Sequence, residues 1–163
     1  MEVDFQLIEH HDQIIRELEL HLVNRAKMHD ADAFHRLRSV PGIGKILAMT
    51  ILYEVHDIAR FPRVQDFLSY ARLVKCEHSS AGKKLGSGGS KIGNAHLKWA
   101  FSEGASLFVR HSEEGQKMAR RLQSKHGPSK GLSILAAKLG RSVHHMLSRE
   151  KAFQMERFLG QAS

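Results

Sequence analysis

The sequence predicts an all-α protein, and three observations support this. Apolar side chains recur at helical spacing over most of the 163 residues. No segment carries the strict alternation of apolar and polar residues that marks a half-buried strand. Capping residues, glycines and prolines stand where the predicted helices would begin and end. The length suits one ordinary domain with an appendage.

The appendage is residues 1–33, which we expect to form an amphipathic, coiled-coil-like helix. An apolar stripe recurs every seven positions with one further leucine between, although polar His11 and Arg25 interrupt it. The stripe consists of Ile8, Ile15, Leu18 and Leu22. Two interpretations stay open: the helix pairs with a second copy, giving a homo-oligomer, or it packs against its own domain.

Residues 34–163 are predicted to form a helical domain. Asn94 is expected to cap one of its helices and Gly127-Pro128 to separate two others, because these residue types suit helix ends. We expect Trp99 to fill core or interface space. The predicted helices are 34–39, 46–55, 61–73, one following Asn94, 113–125 and one from 129.

The amino-acid composition indicates which classes of ligand this protein is expected to bind. A formal charge of +8 and a pI near 9.9 favour binding to a polyanion such as nucleic acid. The single cysteine, Cys76, excludes an internal disulfide, and the 12 histidines lack the spacing of a specific metal site. No metal site is therefore expected in this chain.

The N-terminus has no apolar signal core and no window could span a bilayer, so a cytoplasmic protein without membrane contact is expected.

Residues 34–56 contain Val-Pro-Gly-Ile-Gly-Lys between two predicted helices, the pattern of a helix-hairpin-helix. The two glycines permit a turn that points backbone N–H groups outward, at the positive end of the following helix dipole. Such a turn accepts a DNA phosphate without contacting the bases. The alternative is a plain helical turn. The predicted phosphate-binding residues are Gly42, Ile43, Gly44 and Lys45.

Residues 74–93, the Ser/Gly loop, combine glycines, serines and lysines and have hardly any large apolar side chains. A loop of this length inside a domain is usually functional or disordered. A serine among lysines could attack a phosphodiester, because the cations stabilise charge on the phosphoryl oxygens. The alternative is a flexible loop that only touches phosphates. The predicted phosphate-binding lysines here are Lys83, Lys84 and Lys91.

Four short motifs occur in order along this domain. They are RLxxVPGIG from Arg36, YAxL from Tyr70, SSAGK from Ser79 and SKIGNxxL from Ser90. In order and spacing they resemble the C-terminal transposase domain of the IS110/IS116/IS902 insertion-sequence family. Two departures are Ala81, where the family more often has glycine, and Val-Lys-Cys at 74–76 in place of Gly-Leu-x-Pro.

The resemblance implies a DNA recombinase whose C-terminal domain contributes a nucleophilic serine. Carried over by position, that serine is Ser80, with Ser79 as the alternative because the two are adjacent. Family members also have an N-terminal RuvC-like domain with an Asp-Glu-Asp-Asp metal site, and a bridge RNA guides their choice of DNA. We therefore expect Mg²⁺ only in that domain, and no cofactor in this chain.

The RuvC-like domain has no counterpart in this sequence. We accordingly expect a fragment, a truncated copy or one half of a split transposase, with that domain supplied in trans or missing. Three hypotheses of function stay open: the serine-bearing part of a transposase, a non-catalytic helix-hairpin-helix DNA-binding module, or a coiled-coil assembly element left by a decayed mobile element.

Overall fold

A computed structural model describes residues 2–74, 79–80, 83–84 and 92–160, with side chains for 3–26, 30–74 and 92–160. Most of these residues are helical, so the all-α prediction is confirmed. The helices are α1 Glu2–Arg38, α2 Lys45–Val55, a 3-10 helix Ile58–Arg60, α3 Val64–Tyr70, α4 Ala95–His111, α5 Glu113–His126, α6 Pro128–Ser148 and α7 Met155–Leu159. Two short strands, β1 Ser79–Ser80 and β2 Lys83–Lys84, complete the described elements.

Helix α1 consists of two helical segments that meet at Asp30. The backbone of Asp30 is not helical (φ −156°, ψ 86°), and its carboxylate accepts the Ala33 N–H at 2.8 Å. This is the cap that begins a helix, so the second segment is a separate short helix leading to Arg38. Before the break, residues 3–22 are exposed, and Val23 and Ala26 are the first buried positions.

Helix α6 lies at the centre of the fold. It contacts α1, α3, α4, α5 and the 3-10 helix, because Leu135, Leu139 and Val143 recur on one face and are fully buried. The four largest fully buried side chains are phenylalanines contributed by other elements: Phe34, Phe67, Phe101 and Phe108.

His144 of α6 is one of the few buried polar residues among those described. Its Nε2 lies 2.8 Å from the Phe61 carbonyl oxygen, so Nε2–H donates to that carbonyl. The ring also packs against Phe67, with centroids 5.7 Å apart. His144 therefore joins α6 to the segment before α3, a structural role within the core.

The predicted helix 61–73 is shorter than expected. Pro62 follows an extended Phe61 (φ −117°, ψ 79°), and the structure has the 3-10 helix before it and α3 after it. Proline disfavours helical backbone in the residue that precedes it, which explains why the helix does not begin at Phe61. Of the two locations expected for Trp99, core or interface, the core is wrong, since half of its surface (51%) is exposed on α4.

None of the described helices is long and apolar enough to cross a membrane. Within the described ranges, no three histidine, cysteine, aspartate or glutamate side chains come together as metal ligands could.

Candidate nucleic-acid interface

The segment between α1 and α2, which we call the Gly42 turn (residues 39–44), packs directly on α4. Gly42 has φ +88°, a left-handed conformation that favours glycine. A Cβ at this position would lie 2.5 Å from the Phe108 backbone nitrogen and 2.7 Å from the Gly104 carbonyl oxygen. Gly42 is therefore needed for both its conformation and its contact with α4.

The remaining predicted phosphate ligands of the turn divide into buried and exposed groups. The Ile43 side chain is buried, and its N–H donates to the Val40 carbonyl at 3.0 Å. That donor is already used within the turn. Gly44 and Lys45 are exposed at the start of α2, where no side chain caps the helix and no acidic residue stands in the first turn. The end that remains open to a phosphate is thus the first turn of α2.

The Ser/Gly loop is described only in part. Strands β1 and β2 pair antiparallel, with Ser79 opposite Lys84 and Ser80 opposite Lys83. The loop backbone thus brings each candidate serine opposite a predicted phosphate-binding lysine. Lys91 lies outside the described residues.

The two ends of the Ser/Gly loop are held together by what we call the loop stem, formed by Tyr70, Arg72, Ile92, Gly93 and Asn94. The Asn94 N–H donates to the Tyr70 carbonyl at 2.7 Å, and Arg72 Nε donates to the Ile92 carbonyl at 3.2 Å. Gly93 has φ +108°, and a Cβ there would lie 2.6 Å from the Tyr70 oxygen. The loop therefore leaves and re-enters the fold at one fixed point.

Asn94 ties this stem to two further helices. Its Oδ1 accepts the Leu97 N–H at 2.9 Å, which caps α4 as the sequence predicted. Its Nδ2 donates to Glu54 Oε2 of α2 at 2.5 Å. Tyr70 Oη lies 3.4 Å from the same Nδ2. One partly buried amide thus fixes the start of α4 against α2 and the loop stem.

Helix α4 carries both candidate contact regions. The loop stem sits at its N-terminus, and the Gly42 turn packs on it at Gly104 to Phe108. At about 1.5 Å per residue, Asn94 and Gly104 are about 15 Å apart along the axis.

Sequence reasoning did not find Glu54 or Arg72 as parts of this site. Glu54 lies within an apolar helix and its partner, Asn94, is distant in the chain, so no local spacing links them. Arg72 has φ +55°, which is rare for a side-chain-bearing residue. The Gly93-Asn94 pair before α4 was the sequence signal for the loop stem. A glycine allows another backbone to approach closely, and an asparagine suits the helix cap that follows.

These features define a helical domain that presents a glycine turn and a closed Ser/Gly loop on one helix. The family model described as transposase IS116/IS110/IS902 matches residues 34–120, just over half of the chain. The chain therefore belongs to this insertion-sequence transposase family, as the sequence motifs predicted.

Named relatives agree with this assignment. The transposase for insertion sequence element IS1111A of Coxiella burnetii is 28% identical over 123 residues, which are 73% of this chain and 34% of that protein. The transposase for element IS1328 of Yersinia enterocolitica is 30% identical over 107 residues, 66% of this chain and 30% of that protein.

A probable family 20 transposase of Pseudomonas aeruginosa is 27% identical over 143 residues, 85% of this chain and 40% of that protein. The chain thus spans 30 to 40% of the length of the three relatives it matches.

Alanine substitutions at the two glycines of the Gly42 turn should lower stability by different amounts. Gly42→Ala should lower the free energy of unfolding by about 3 kcal/mol, because a methyl group meets the α4 backbone in a strained conformation. Gly44→Ala should cost less than about 1 kcal/mol, since nothing lies within 4 Å of a Cβ there. Urea unfolding followed by circular dichroism measures both. Equal losses would contradict the packing described for Gly42.

Asn94 gives a second prediction. Asn94→Ala should lower the free energy of unfolding by about 1–3 kcal/mol, because it removes the α4 cap and the partner of Glu54. Ser102→Ala is the matched control on α4, where only a hydrogen bond to Lys98 O is lost, and it should change stability by less than about 0.5 kcal/mol.

A third variant tests the Glu54 contact itself. Asn94→Asp keeps a capping oxygen but sets two carboxylates together, which repel when both are ionised. Its deficit relative to the unmodified protein should be full at neutral pH and shrink as the pH falls to about 4. A deficit independent of pH would show that Glu54 is not in contact.

Proposed function

We propose that this chain is the DNA-contacting, serine-bearing part of an insertion-sequence transposase that cuts and rejoins DNA. The observation that carries the proposal is the closure of the Ser/Gly loop by the Tyr70 to Asn94 hydrogen bond, on the helix that also holds the Gly42 turn. Membership in the transposase family supports the same function.

The chemistry we propose begins with Ser80. Its hydroxyl oxygen attacks the phosphorus of a DNA phosphodiester, a bridging P–O bond breaks, and the leaving oxygen takes a proton to give a free hydroxyl end. The product is a phosphoserine link, which the reverse attack by a DNA hydroxyl resolves. A serine hydroxyl is a weak nucleophile and needs a base or a metal ion, and cations must offset the charge on the non-bridging oxygens.

Backbone pairing supports a nucleophile at either serine, and Ser80 is proposed from its position in the family motif. The register sets Ser80 opposite Lys83 and Ser79 opposite Lys84, so both serines belong to a short paired segment that also contains two lysines. Lys83, Lys84 and Lys91 are the proposed phosphate-binding side chains. His78, beside Ser79 in sequence, is the candidate proton acceptor and lies outside the described residues.

The Gly42 turn supplies the proposed second phosphate contact. Exposed N–H groups at the start of α2 and the Lys45 ammonium suit an anion, and no acidic residue in that first turn opposes it. We propose that this turn acts as a helix-hairpin-helix, with Gly42 and Ile43 shaping it and Gly44 and Lys45 facing the DNA.

The metal chemistry is proposed to come from outside this chain. A RuvC-like domain holding Mg²⁺, supplied in trans or by a longer protein, would activate the nucleophile, and a bridge RNA would select the DNA. The longer lengths of the relatives are consistent with a further domain in those proteins.

The N-terminal arm, residues 2–24, is proposed to join two copies of the chain. The apolar stripe is exposed within the chain, with Ile8 57%, Ile15 52%, Leu18 57% and Leu22 45% accessible. The stripe therefore does not pack on its own domain. A heptad stripe of this kind buries itself when a second helix lies alongside.

Strand joining tests the proposed nucleophile. In the presence of a RuvC-like domain and DNA, Ser80→Ala should abolish the covalent protein–DNA adduct and strand joining while leaving DNA affinity within about twofold, because one hydroxyl adds little to an interface of phosphate contacts. Denaturing gels detect the adduct, and fluorescence anisotropy measures affinity.

Ser79→Ala is the matched control and should have the milder effect. Joining lost in Ser79→Ala and kept in Ser80→Ala would move the nucleophile by one residue. Joining in the double variant would exclude a serine mechanism and favour the non-catalytic DNA-binding module.

Analytical ultracentrifugation tests whether the N-terminal arm joins two copies of the chain. The unmodified chain should sediment at twice its 18.4 kDa mass at micromolar concentration, and Ile15→Glu with Leu22→Glu should return it to the monomer mass by burying charges in the seam. Leu20→Glu is the control, because Leu20 is also exposed but lies off the stripe, and it should keep the dimer. A monomeric unmodified chain would contradict the proposal.

A further inference from the structure

A groove formed by α5, α6 and α7 is lined by positively charged side chains. None of them belongs to the site proposed above. We call this groove the basic groove. It has a volume of about 750 Å³ and lies between α5, α6 and α7. Three cations of α5 line one wall and one cation of α6 lines the other: Lys117, Arg121, Lys125 and Lys138.

The three α5 cations form a regular row. Lys117, Arg121 and Lys125 are four residues apart, so they share one face of α5 at intervals of about 6 Å. All three are exposed. Within the described residues, none of them has a carboxylate within ion-pair distance, although Glu114 and Glu156 also line the groove. The row therefore offers its charge to an external anion.

Lys138 adds a second, independent observation. It is half-buried in the opposite wall, with its Nζ 4.9 Å from the centre of the Phe158 ring. Burial lowers the pKa of Lys138, and the nearby Arg121 guanidinium lowers it further. Two like charges thus face one groove, and an anion placed between them would relieve their repulsion.

The distribution of charge along the chain favours DNA as that anion. The N-terminal arm carries six acidic residues and one arginine, so 24 of the 25 lysines and arginines lie beyond residue 24. A DNA strand presents phosphates at regular intervals of about 3.4 Å along its axis, and a row of cations about 12 Å long can contact about three of them. The half-buried apolar floor of Met118, Leu122, Met155 and Leu159 suits the sugar face of the strand.

We propose that the basic groove binds the phosphodiester backbone of DNA, as a contact separate from the Gly42 turn and the Ser/Gly loop. This rests on the proposed function, since it takes DNA as the ligand of the chain. The groove positions a length of DNA through its phosphates, and no side-chain amide that could recognise adenine lines it.

The test compares two triple variants of equal charge in a DNA titration over a range of salt. Lys117→Gln, Arg121→Gln and Lys125→Gln should weaken binding of a labelled duplex by about tenfold or more and reduce the slope of log affinity against log salt by about 2 to 3. Arg120→Gln, Lys130→Gln and Arg141→Gln remove the same charge from exposed positions outside the groove and should change affinity by less than about threefold. Glutamine keeps the helix propensity of lysine and arginine, so thermal melting should match in all three proteins.

Equal losses of DNA affinity in the two triple variants would overturn the proposal that the groove binds DNA, because they would show a general effect of net charge. A groove variant that binds DNA normally but sediments at a different mass would assign the groove to a second copy, whose arm is acidic and apolar. Competition by a single-stranded RNA about tenfold better than by the duplex would overturn DNA as the ligand. An unmodified chain with no affinity for DNA would overturn the proposed function as well, whereas DNA binding with no loss in the groove variant would overturn the groove alone.

Discussion

The close approach of Gly42 to the backbone of α4 is the contact on which the arrangement of the domain depends. A glycine with positive φ lies against the Phe108 nitrogen and the Gly104 oxygen, where no side chain fits. On the other side of this contact, the Gly104 Cα faces Ile43 and Leu47, whose side chains fill the space next to α4. The α1 to α2 connection is thereby locked to α4 through two glycines, and α4 in turn contacts α5 and α6.

Helix α4 then determines where the Ser/Gly loop can lie. Asn94 caps the helix by accepting the Leu97 N–H, and it also bonds to Glu54 and Tyr70 of other elements. A loop rich in glycine and serine has high conformational entropy. Fixing its two ends at one point restricts where its serines can lie, which suits the proposed role of Ser80 as a nucleophile.

Charge and apolar surface are segregated along the molecule. The N-terminal arm is acidic with an exposed apolar stripe, whereas 22 of the 25 lysines and arginines belong to the helical domain, where α5 carries a row of three. The two surfaces are suited to different kinds of interaction. An apolar stripe gains by burial against another helix, while a row of solvated cations gains by releasing counterions from a polyanion. The break at Asp30 stands between them, near the point where buried positions begin.

The sequence by itself determined the all-α class, the helix following Asn94 with its cap, the Gly127-Pro128 boundary and the family, because these rest on local periodicity, capping and short motifs. Tertiary structure alone decided that Gly42 serves packing on α4, that Glu54 holds Asn94, and that Trp99 is exposed. The helix predicted at 61–73 is shorter in the structure, Val64–Tyr70, and here the reason is local, because Pro62 disfavours helical backbone at Phe61. The other properties depend on which distant residue lies within a few ångströms, and spacing along a chain carries no information about that neighbour.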